Sequence, residues 1–317
     1  MKNTTVLQSQ SNGDRVREIF KRLFPRKYKY WINLMETTGI MRLLPKKQTS
    51  YAELFIETNK AIQQTWRTTS NVEIRDLSDC FSRKERAQIF EALMAMNLYK
   101  EKMPSQKHYD VIILKSATQE RVLRRVKYLK SMLKRGITAS TVYAIVGNRE
   151  LDPRHESLAH LLQMNKLPQD ELAMVRCVIT KHLPWSLCKT IKYIYIPNGD
   201  NTKKTSGQTL NQLWLEKFNK TYRKPNTKIL VISNQPFVQY HTVSLVKTLT
   251  NNFEHIPQIN GYISFKIQDD IEIEGAGPDG NSAQLALGLD ALAATLDIRI
   301  PLFLKRVEKL FGEKSTT

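Results

Sequence analysis

The sequence predicts an α/β fold, in which helices cover both faces of a mostly parallel sheet, with an all-helical region before it. Two observations lead to this fold class. Residues 1 to about 104 show helical periodicity and no clear strand pattern, whereas from Tyr109 onward short apolar, β-branched runs alternate with helical segments. Strands this apolar are typical of a parallel sheet buried on both faces. We therefore predict a basic helical region over residues 1–105 and an α/β domain over residues 106–317, joined by a loop around Pro104.

The helical region is predicted from apolar side chains that recur three and four positions apart. In its first segment these residues are Val16, Ile19, Phe20, Leu23 and Phe24. Pro25 then breaks or kinks the helix. Residues 50–66 and 82–99 form two further amphipathic segments. Ser82 and Glu85 fit a capping box, because a hydroxyl and a carboxylate at this spacing satisfy backbone N–H groups at a helix start.

The α/β part contains four clear strand runs and two shorter ones. The strands are predicted at residues 109–114, 141–146, 191–196 and 228–232, with short ones at 262–265 and 271–273. Helices are predicted near residues 118–135, 154–162, 169–182, 206–220, 238–250 and 282–296. Open parallel sheets bind ligands beyond the carboxyl ends of their strands, where the strand order reverses.

Polar residues follow each of the four clear strands. The candidate ligand-binding residues are Ser116, Thr118, Gly147, Asn148, Arg149, Asn198, Asn201, Thr202, Thr205, Ser233, Asn234 and Gln235. Amides, hydroxyls, an arginine and helix N-terminal N–H groups suit a phosphate, a ribose or a carboxylate. Ser, Asn and Gly are also common in ordinary turns and caps, which explains any one of them. Their recurrence at four strand ends favours a ligand site.

Other motifs give no reaction. Residues 275–280 formally match the glycine pattern GxGxxG, but Pro278 restricts the turn and several nearby acidic residues would repel a pyrophosphate. We interpret this segment as an ordinary strand-to-helix turn. His241 is a candidate general base near Ser233, although a single helical histidine is more often structural. Catalytic residues are left unassigned, and no metal site is predicted.

The composition describes a strongly basic globular chain. Its 317 residues carry 49 Lys and Arg against 30 Asp and Glu, a formal charge of +19, and 41% are hydrophobic. This excludes disordered, collagen-like and disulfide-stapled classes. The three cysteines lack CxxC spacing and are expected to be free thiols. With no apolar run long enough to span a membrane, we expect a cytoplasmic location, or secretion into a host cell as the alternative.

The positive charge is unevenly distributed. Residues 1–50 carry 11 Lys or Arg and 3 Asp or Glu, and residues 121–135 carry seven basic residues and no acid. Residues 266–297 carry seven acids and one lysine. Several aromatic residues lie within the first basic cluster, namely Phe20, Phe24, Tyr28, Tyr30 and Trp31. This mixture suits single-stranded nucleic acid or an anionic membrane surface, and packing of the aromatic rings into a core explains it equally well.

Three stretches resemble the YdcF/SanA/ElyC-like family of bacterial proteins. They are YDVIIL at 109–114 with the helix that ends at Gly136, NGDNTKKT at 198–205 with Asn211, and ILVISNQ at 229–235. The resemblance covers roughly residues 109–296. The chain departs from the family where KSAT at 115–118 replaces a glycine-rich loop and where PFVQY at 236–240 replaces a histidine-containing dipeptide.

The resemblance implies a doubly wound fold of Rossmann type and a nucleotide-like or S-adenosylmethionine-like ligand. The chain would then be a divergent cytosolic member that binds a small anionic ligand at the strand ends, with its reaction unassigned. The alternative is a basic module whose N-terminal region docks onto an anionic membrane or nucleic acid. A secreted bacterial effector is a third interpretation.

Overall fold

A computed structural model describes residues 10–47, 49–67, 80–148, 150–151, 156, 168–196, 207–221, 224–250, 264–267, 271–280 and 285–312. The chain divides into two compact units. An α/β unit comprises Tyr99–Asn281, and a helical unit comprises Met1–Leu98 together with Ser282–Thr317. No helix in the described ranges combines the length and the apolarity that crossing a membrane requires.

The described elements follow in chain order. The helices are α1 (Asn12–Leu23), α2 (Tyr28–Thr37), α3 (Tyr51–Trp66), α4 (Arg83–Ala95), α5 (Gln119–Lys134), α6 (Glu171–His182), α7 (Trp185–Cys188), α8 (Gly207–Thr221), α9 (Val238–Thr250) and α10 (Leu285–Phe311). The strands are β1 (His108–Lys115), β2 (Thr138–Ile145), β3 (Lys192–Ile194), β4 (Lys228–Ile232), β5 (Ser264–Lys266) and β6 (Glu272–Ala276).

The six strands form one sheet in the order β3-β2-β1-β4-β6-β5. Five of them run parallel, and β5 pairs antiparallel with β6 at one edge. The central strands β1 and β4 are almost entirely buried, as their apolar runs predict. The predicted fold class is confirmed: the α/β unit is a doubly wound, mostly parallel sheet of Rossmann type, and the region before it is helical. The helix predicted at residues 154–162 lies almost wholly outside the described residues.

The helical unit is built on the predicted starts and stops. Ser50 and Ser82 each accept a hydrogen bond from the glutamate N–H three residues on, and each glutamate side chain accepts from the serine N–H, so both form capping boxes. Pro25 lies between α1 and α2, where the sequence predicts a break. Apolar side chains of α1, α2 and α3 are buried against one another.

The long helix α10 packs against α3 in the helical unit. The Gln63 side-chain amide, for example, donates to the carbonyl of Ala293 at 2.9 Å. The sequence division after residue 105 assigns this helix to the α/β part, whereas its contacts assign it to the helical unit. The helix also continues through Pro301 to Phe311, beyond the predicted end near residue 296, because Phe303 and Val307 extend its buried face.

Candidate functional site

The strand order locates the site. From β1 the chain moves outward to β2 and β3, then returns to β4 on the other side of β1. The order therefore reverses between β1 and β4, which is where open parallel sheets bind ligands. Leu114 of β1 pairs with Ile232 of β4, so the next residues, Lys115 and Ser233, leave the paired region at the same level of the sheet.

Two cationic side chains are buried at this point. Lys115 is 6% exposed and Arg125, from α5, is 1% exposed. The Arg125 guanidinium donates from Nη1 to the carbonyls of Lys115 at 2.6 Å and Ser116 at 2.9 Å, and from Nε to the side-chain oxygen of Asn234. The Lys115 ammonium donates to the side-chain oxygen of Asn211. These bonds connect the ends of β1 and β4 with α5 and α8, and we refer to Lys115, Arg125, Asn211 and Asn234 as the cation cluster.

The two cations of the cluster form no direct ion pair within the described residues. Within the described residues, no carboxylate oxygen lies within 4 Å of the Lys115 ammonium or the Arg125 guanidinium. Burial, and secondarily the charge of Arg125, lower the pKa of Lys115 to about 7. Burial, and then Arg121, lower the pKa of Arg125 to about 9, with the Glu171 carboxylate acting in the opposite direction. Arg125 therefore stays cationic at neutral pH, and Lys115 is partly protonated.

Asn234 supplies a buried donor that is unpaired within the described residues. It is 2% exposed, its oxygen accepts from Arg125, and its side-chain NH2 group has no hydrogen-bond partner in the part of the chain that the structure describes. An unsatisfied buried donor costs about 1–3 kcal/mol, so such a group in a native protein calls for an explanation. An acceptor oxygen from a ligand would provide one.

Ser233 and His241 form a hydrogen-bonded pair beside the cluster. The Ser233 hydroxyl lies 2.7 Å from Nδ1 of His241, and Ser233 is fully buried at the end of β4. Burial, followed by the charges of Arg125, Lys115 and Arg121, lowers the pKa of His241 well below its ordinary value. The imidazole is therefore neutral at physiological pH. A neutral imidazole can accept a proton, and the structure places that of His241 next to the Ser233 hydroxyl.

The amino end of α5 already holds a carboxylate. The backbone N–H of Gln119, the first residue of α5, donates to the side chain of Glu156, which is buried. A helix start is a favourable place for an anion, and here a residue of the chain fills it. In the part of the site that the structure describes, the Asn234 NH2 group of the cation cluster is left as an unpaired donor.

Gly277 lets β6 approach the site closely. A Cβ on this residue would lie 1.6 Å from the carbonyl oxygen of Ser233, a distance no side chain tolerates. The backbone N–H of Ser233 in turn donates to the carbonyl of Ala276 at 3.0 Å. This glycine therefore serves backbone packing next to β4, in agreement with the interpretation of residues 275–280 as a turn.

The predicted site residues fall into three groups. Three of them lie around the cation cluster. The Ser116 carbonyl and the Asn234 side-chain oxygen accept from Arg125, and the Ser233 hydroxyl is hydrogen-bonded to His241. The others described lie nearby on the chain: the Gly147 N–H donates to the Ser116 hydroxyl at 3.2 Å, Thr118 precedes α5 without a side-chain cap bond, and the Gln235 side chain donates to the carbonyl of Lys100. Asn148 follows the Gly147 turn and is half-buried. Arg149, Asn198, Asn201, Thr202 and Thr205 lie outside the described residues.

Sequence reasoning missed Lys115 and Arg125 as site residues. Arg125 lies within the apolar stripe of α5 formed by Val122, Val126 and Leu129, so its burial was detectable as a charge on the buried face of an amphipathic helix. Lys115 directly continues the apolar run of β1. A cation that extends a buried strand is a second signal of the same kind.

The aromatic residues of the N-terminal basic cluster belong largely to a core. Phe20 and Trp31 are buried, and their ring centroids lie 5.5 Å apart. Phe24 stacks on Trp31 at 5.3 Å. Of the two interpretations that the sequence leaves open, packing accounts for these rings.

A cavity of about 270 Å³ lies at the opposite end of the sheet. It is lined by Asp110, Ser140, Lys224, Pro225, Asn226 and Thr227, near the amino ends of β1 and β4. It shares no residue with the cation cluster. We therefore place the candidate site at the carboxyl edge, where the unmatched charges lie.

Comparison with known proteins adds no relative, since no family model, no curated protein and no solved structure matches this chain. The resemblance to the YdcF/SanA/ElyC-like family therefore stays a prediction.

Proposed function

We propose that the α/β unit binds the anionic group of a small, nucleotide-like ligand at the carboxyl ends of β1 and β4. The observation that carries this proposal is the buried pair Lys115 and Arg125, which has no carboxylate within 4 Å in the described residues. Burying like charges without a counter-ion is costly, and a bound anion removes that cost. A ligand phosphate or carboxylate would place an anion in direct contact with this pair.

The donors suit an oxyanion. The Lys115 ammonium uses one proton on Asn211 and retains others, and the Asn234 NH2 group is unpaired within the described chain. An anion bound here would accept from both, while Arg125 keeps its bonds to the strand-end carbonyls and provides charge. The ligand classes that fit are nucleotides and their phosphates. S-adenosylmethionine, which the family resemblance implies, would present its carboxylate. The reaction is left unassigned.

Proton uptake is a consequence of this arrangement. Because burial and Arg125 lower the pKa of Lys115 to about 7, part of the population is neutral near physiological pH. An anion favours the charged ammonium and raises this pKa, so binding takes up a proton. The affinity for an anion should therefore decrease as the pH rises above about 7.

Asn234→Asp is the sharpest test of the proposal. The substitution keeps an oxygen for the Arg125 bond and replaces the unpaired NH2 group by a second, negative oxygen. We expect the unliganded protein to become more stable, by about 1–3 kcal/mol, because a carboxylate now balances the two cations. We expect ligand binding to be lost, because the same carboxylate repels an anion.

The measurement is thermal unfolding of the full chain with and without inorganic phosphate, ATP or S-adenosylmethionine. The wild type should be stabilised by at least one of these probes and Asn234→Asp by none. Lys84→Asp, at an exposed position of α4, is the control and should keep the wild-type response. Stabilisation of Asn234→Asp equal to that of the wild type, or of the wild type by no probe, would overturn the proposal.

A further inference from the structure

A second cationic surface lies on the α/β unit, on α5, α6 and α7. Residues 121–135 and 172–196 contain no Asp or Glu, and they carry seven and four Lys or Arg, respectively. Helices α5 and α6 pack against each other, and α7 packs against α6. Two acid-free stretches of the sequence are therefore brought onto one part of the unit.

His182 shows that the cations of the two helices lie close together. Burial lowers the pKa of His182, and the charges of Lys127, Lys181 and Lys130 lower it further. Lys127 and Lys130 belong to α5, whereas Lys181 belongs to α6. In the described part of the chain, none of these three lysines has a carboxylate within 4 Å. Within the described residues, no direct ion pair therefore neutralises the field that these lysines share.

An exposed tryptophan lies on α7, the short helix that packs against α6. Trp185 of α7 is 65% exposed, whereas Trp31, Trp66 and Trp214 are at most 6% exposed. The Lys189 ammonium lies 4.9 Å from the centroid of the Trp185 ring. A large exposed aromatic ring beside a cation is a common element of surfaces that stack a nucleobase or enter a membrane interface.

The aromatic–cation pattern continues toward the sheet edge. The Arg176 guanidinium of α6 lies 5.0 Å from the ring centroid of Tyr193, a half-buried residue of β3. We refer to Lys127, Lys130, Lys181, Trp185 and Lys189, with Arg176 and Tyr193, as the basic–aromatic face. It offers both of the groups with which proteins bind an unpaired nucleic-acid strand, namely cations for phosphates and rings for bases.

We propose that the basic–aromatic face binds single-stranded nucleic acid, with a base stacked on Trp185 and backbone phosphates at the lysines of α5 and α6. The negative charge of a nucleic acid complements this basic surface. The bases of a single strand are already unpaired and available to the indole ring. The proposal is independent of the anion site at the ends of β1 and β4, since the two share no residue.

A membrane surface is the less favoured partner, because the described part of the α/β unit exposes too little apolar surface. Within the described residues of the α/β unit, Trp185 is the one large hydrophobic side chain that is exposed. Its neighbours Leu187 and Cys188 pack against the hydrophobic core of that unit. Interfacial membrane binding requires a broad apolar face that inserts between lipids, whereas stacking a base requires one ring.

Intrinsic fluorescence tests the proposal directly. The chain has four tryptophans, and only Trp185 is exposed, so quenching by an added oligonucleotide reports on this residue. Titration with an oligo(dT) of about 20 nucleotides should quench the emission. The apparent affinity should fall by roughly tenfold or more between 50 and 200 mM salt if about three phosphates are contacted.

Three variants separate stacking from charge, with binding measured by the anisotropy of a labelled oligo(dT). Trp185→Leu keeps an apolar side chain but cannot stack, and should weaken binding by roughly tenfold. Lys181→Glu/Lys189→Glu should weaken binding more and flatten the salt dependence. Lys21→Glu/Lys84→Glu makes the same charge change at exposed positions of the helical unit and should bind as the wild type does.

Three results would overturn the proposal, provided that circular dichroism shows the variants to be folded. One is equal affinity of Trp185→Leu and the wild type for oligo(dT). Another is equal loss in the control and in Lys181→Glu/Lys189→Glu, which would mean that only net charge matters. The third is a blue shift of Trp185 emission with phosphatidylserine vesicles and no response to oligo(dT), which would assign the face to a membrane.

Discussion

Two groups of basic residues, one in each unit, lie in different surroundings. In the helical unit, Arg17 forms ion pairs with Asp14 and Glu36, and Arg22 pairs with Glu18. In the α/β unit, Lys115 and Arg125 are buried with no carboxylate within 4 Å in the described residues. The same formal charge of +19 therefore covers two situations. Arg299 of the helical unit is likewise buried with no carboxylate within 4 Å in the described residues. A buried unpaired cation therefore indicates a binding site only together with the strand-end position and the unpaired Asn234 NH2 group.

The aromatic residues show the same contrast. In the helical unit, the Trp31 and Trp66 rings stack with centroids 6.1 Å apart, and both are buried. In the α/β unit, Trp185 is exposed beside Lys189. A sequence that places aromatic and basic residues together can thus describe either a core or a surface, and burial decides which.

The largest effect is expected from Arg125→Met. This variant removes the donor for the carbonyls of Lys115 and Ser116 and for the oxygen of Asn234, of which the first and the last are buried. We expect the free energy of unfolding to decrease by about 3–5 kcal/mol, measured by urea denaturation. A loss below about 1 kcal/mol would mean that Arg125 does not organise the strand ends.

Gly277→Ala tests how closely β6 approaches the site. A Cβ would lie 1.6 Å from the Ser233 carbonyl oxygen, so the backbone must move. We expect a loss of about 3 kcal/mol in stability and a weaker response to the anion probes. Gly207→Ala, whose new Cβ meets no atom of the described residues within 4 Å, is the control and should be close to neutral. Equal effects of the two substitutions would contradict this account of Gly277.

The pH dependence of stability isolates Lys115. Because its folded pKa is lowered to about 7, the unfolded chain binds more protons than the folded one above that pH. Stability should therefore rise with pH from about 7 toward the ordinary lysine pKa, by roughly 2 kcal/mol between pH 7 and 9. Lys115→Met should lack this contribution. Identical pH profiles of urea unfolding for the wild type and Lys115→Met would disprove the burial of a charged Lys115.

The smallest effect is expected in the helical unit. Arg17→Ala removes ion pairs with Asp14 and Glu36 whose side chains are all at least 45% exposed. Solvent screens such pairs, so the free energy of unfolding should change by less than about 1 kcal/mol. A loss above about 2 kcal/mol in thermal or urea unfolding would contradict this expectation, because it would show that exposed ion pairs stabilise the helical unit strongly.

The elements of the α/β unit were largely predictable, because strands buried on both faces of a sheet appear in the sequence as continuous apolar runs. The strand predicted at residues 228–232 matches β4, and the helix predicted at residues 238–250 matches α9. Strand ends with few apolar residues are harder to recognise from the sequence. For example, β2 begins at Thr138, three residues before its apolar run. The partner of α10 was not predictable either, since periodicity shows that a helix has an apolar face but not what that face covers.

The candidate site was predictable only in part. Ser233 and Asn234 were found because polar residues after a buried strand indicate its carboxyl end. Arg125 was not found, because ten residues separate it from Lys115 and only the fold brings the guanidinium back to the strand-end carbonyls. The unpaired Asn234 NH2 group depends on the absence of an acceptor in the described surroundings, which is a property of the packing and has no counterpart in the sequence.

The association of α10 with α3 sets an order of events during synthesis. The ribosome delivers the first helices, then the whole of Tyr99–Asn281, and only then the segment that covers α3. Domains generally fold as units as they emerge from the ribosome. The sheet can therefore form before α10 is available to pack against α3. Until residues 285–311 have been made, the apolar side of α3 that they cover stays open to solvent or to a chaperone.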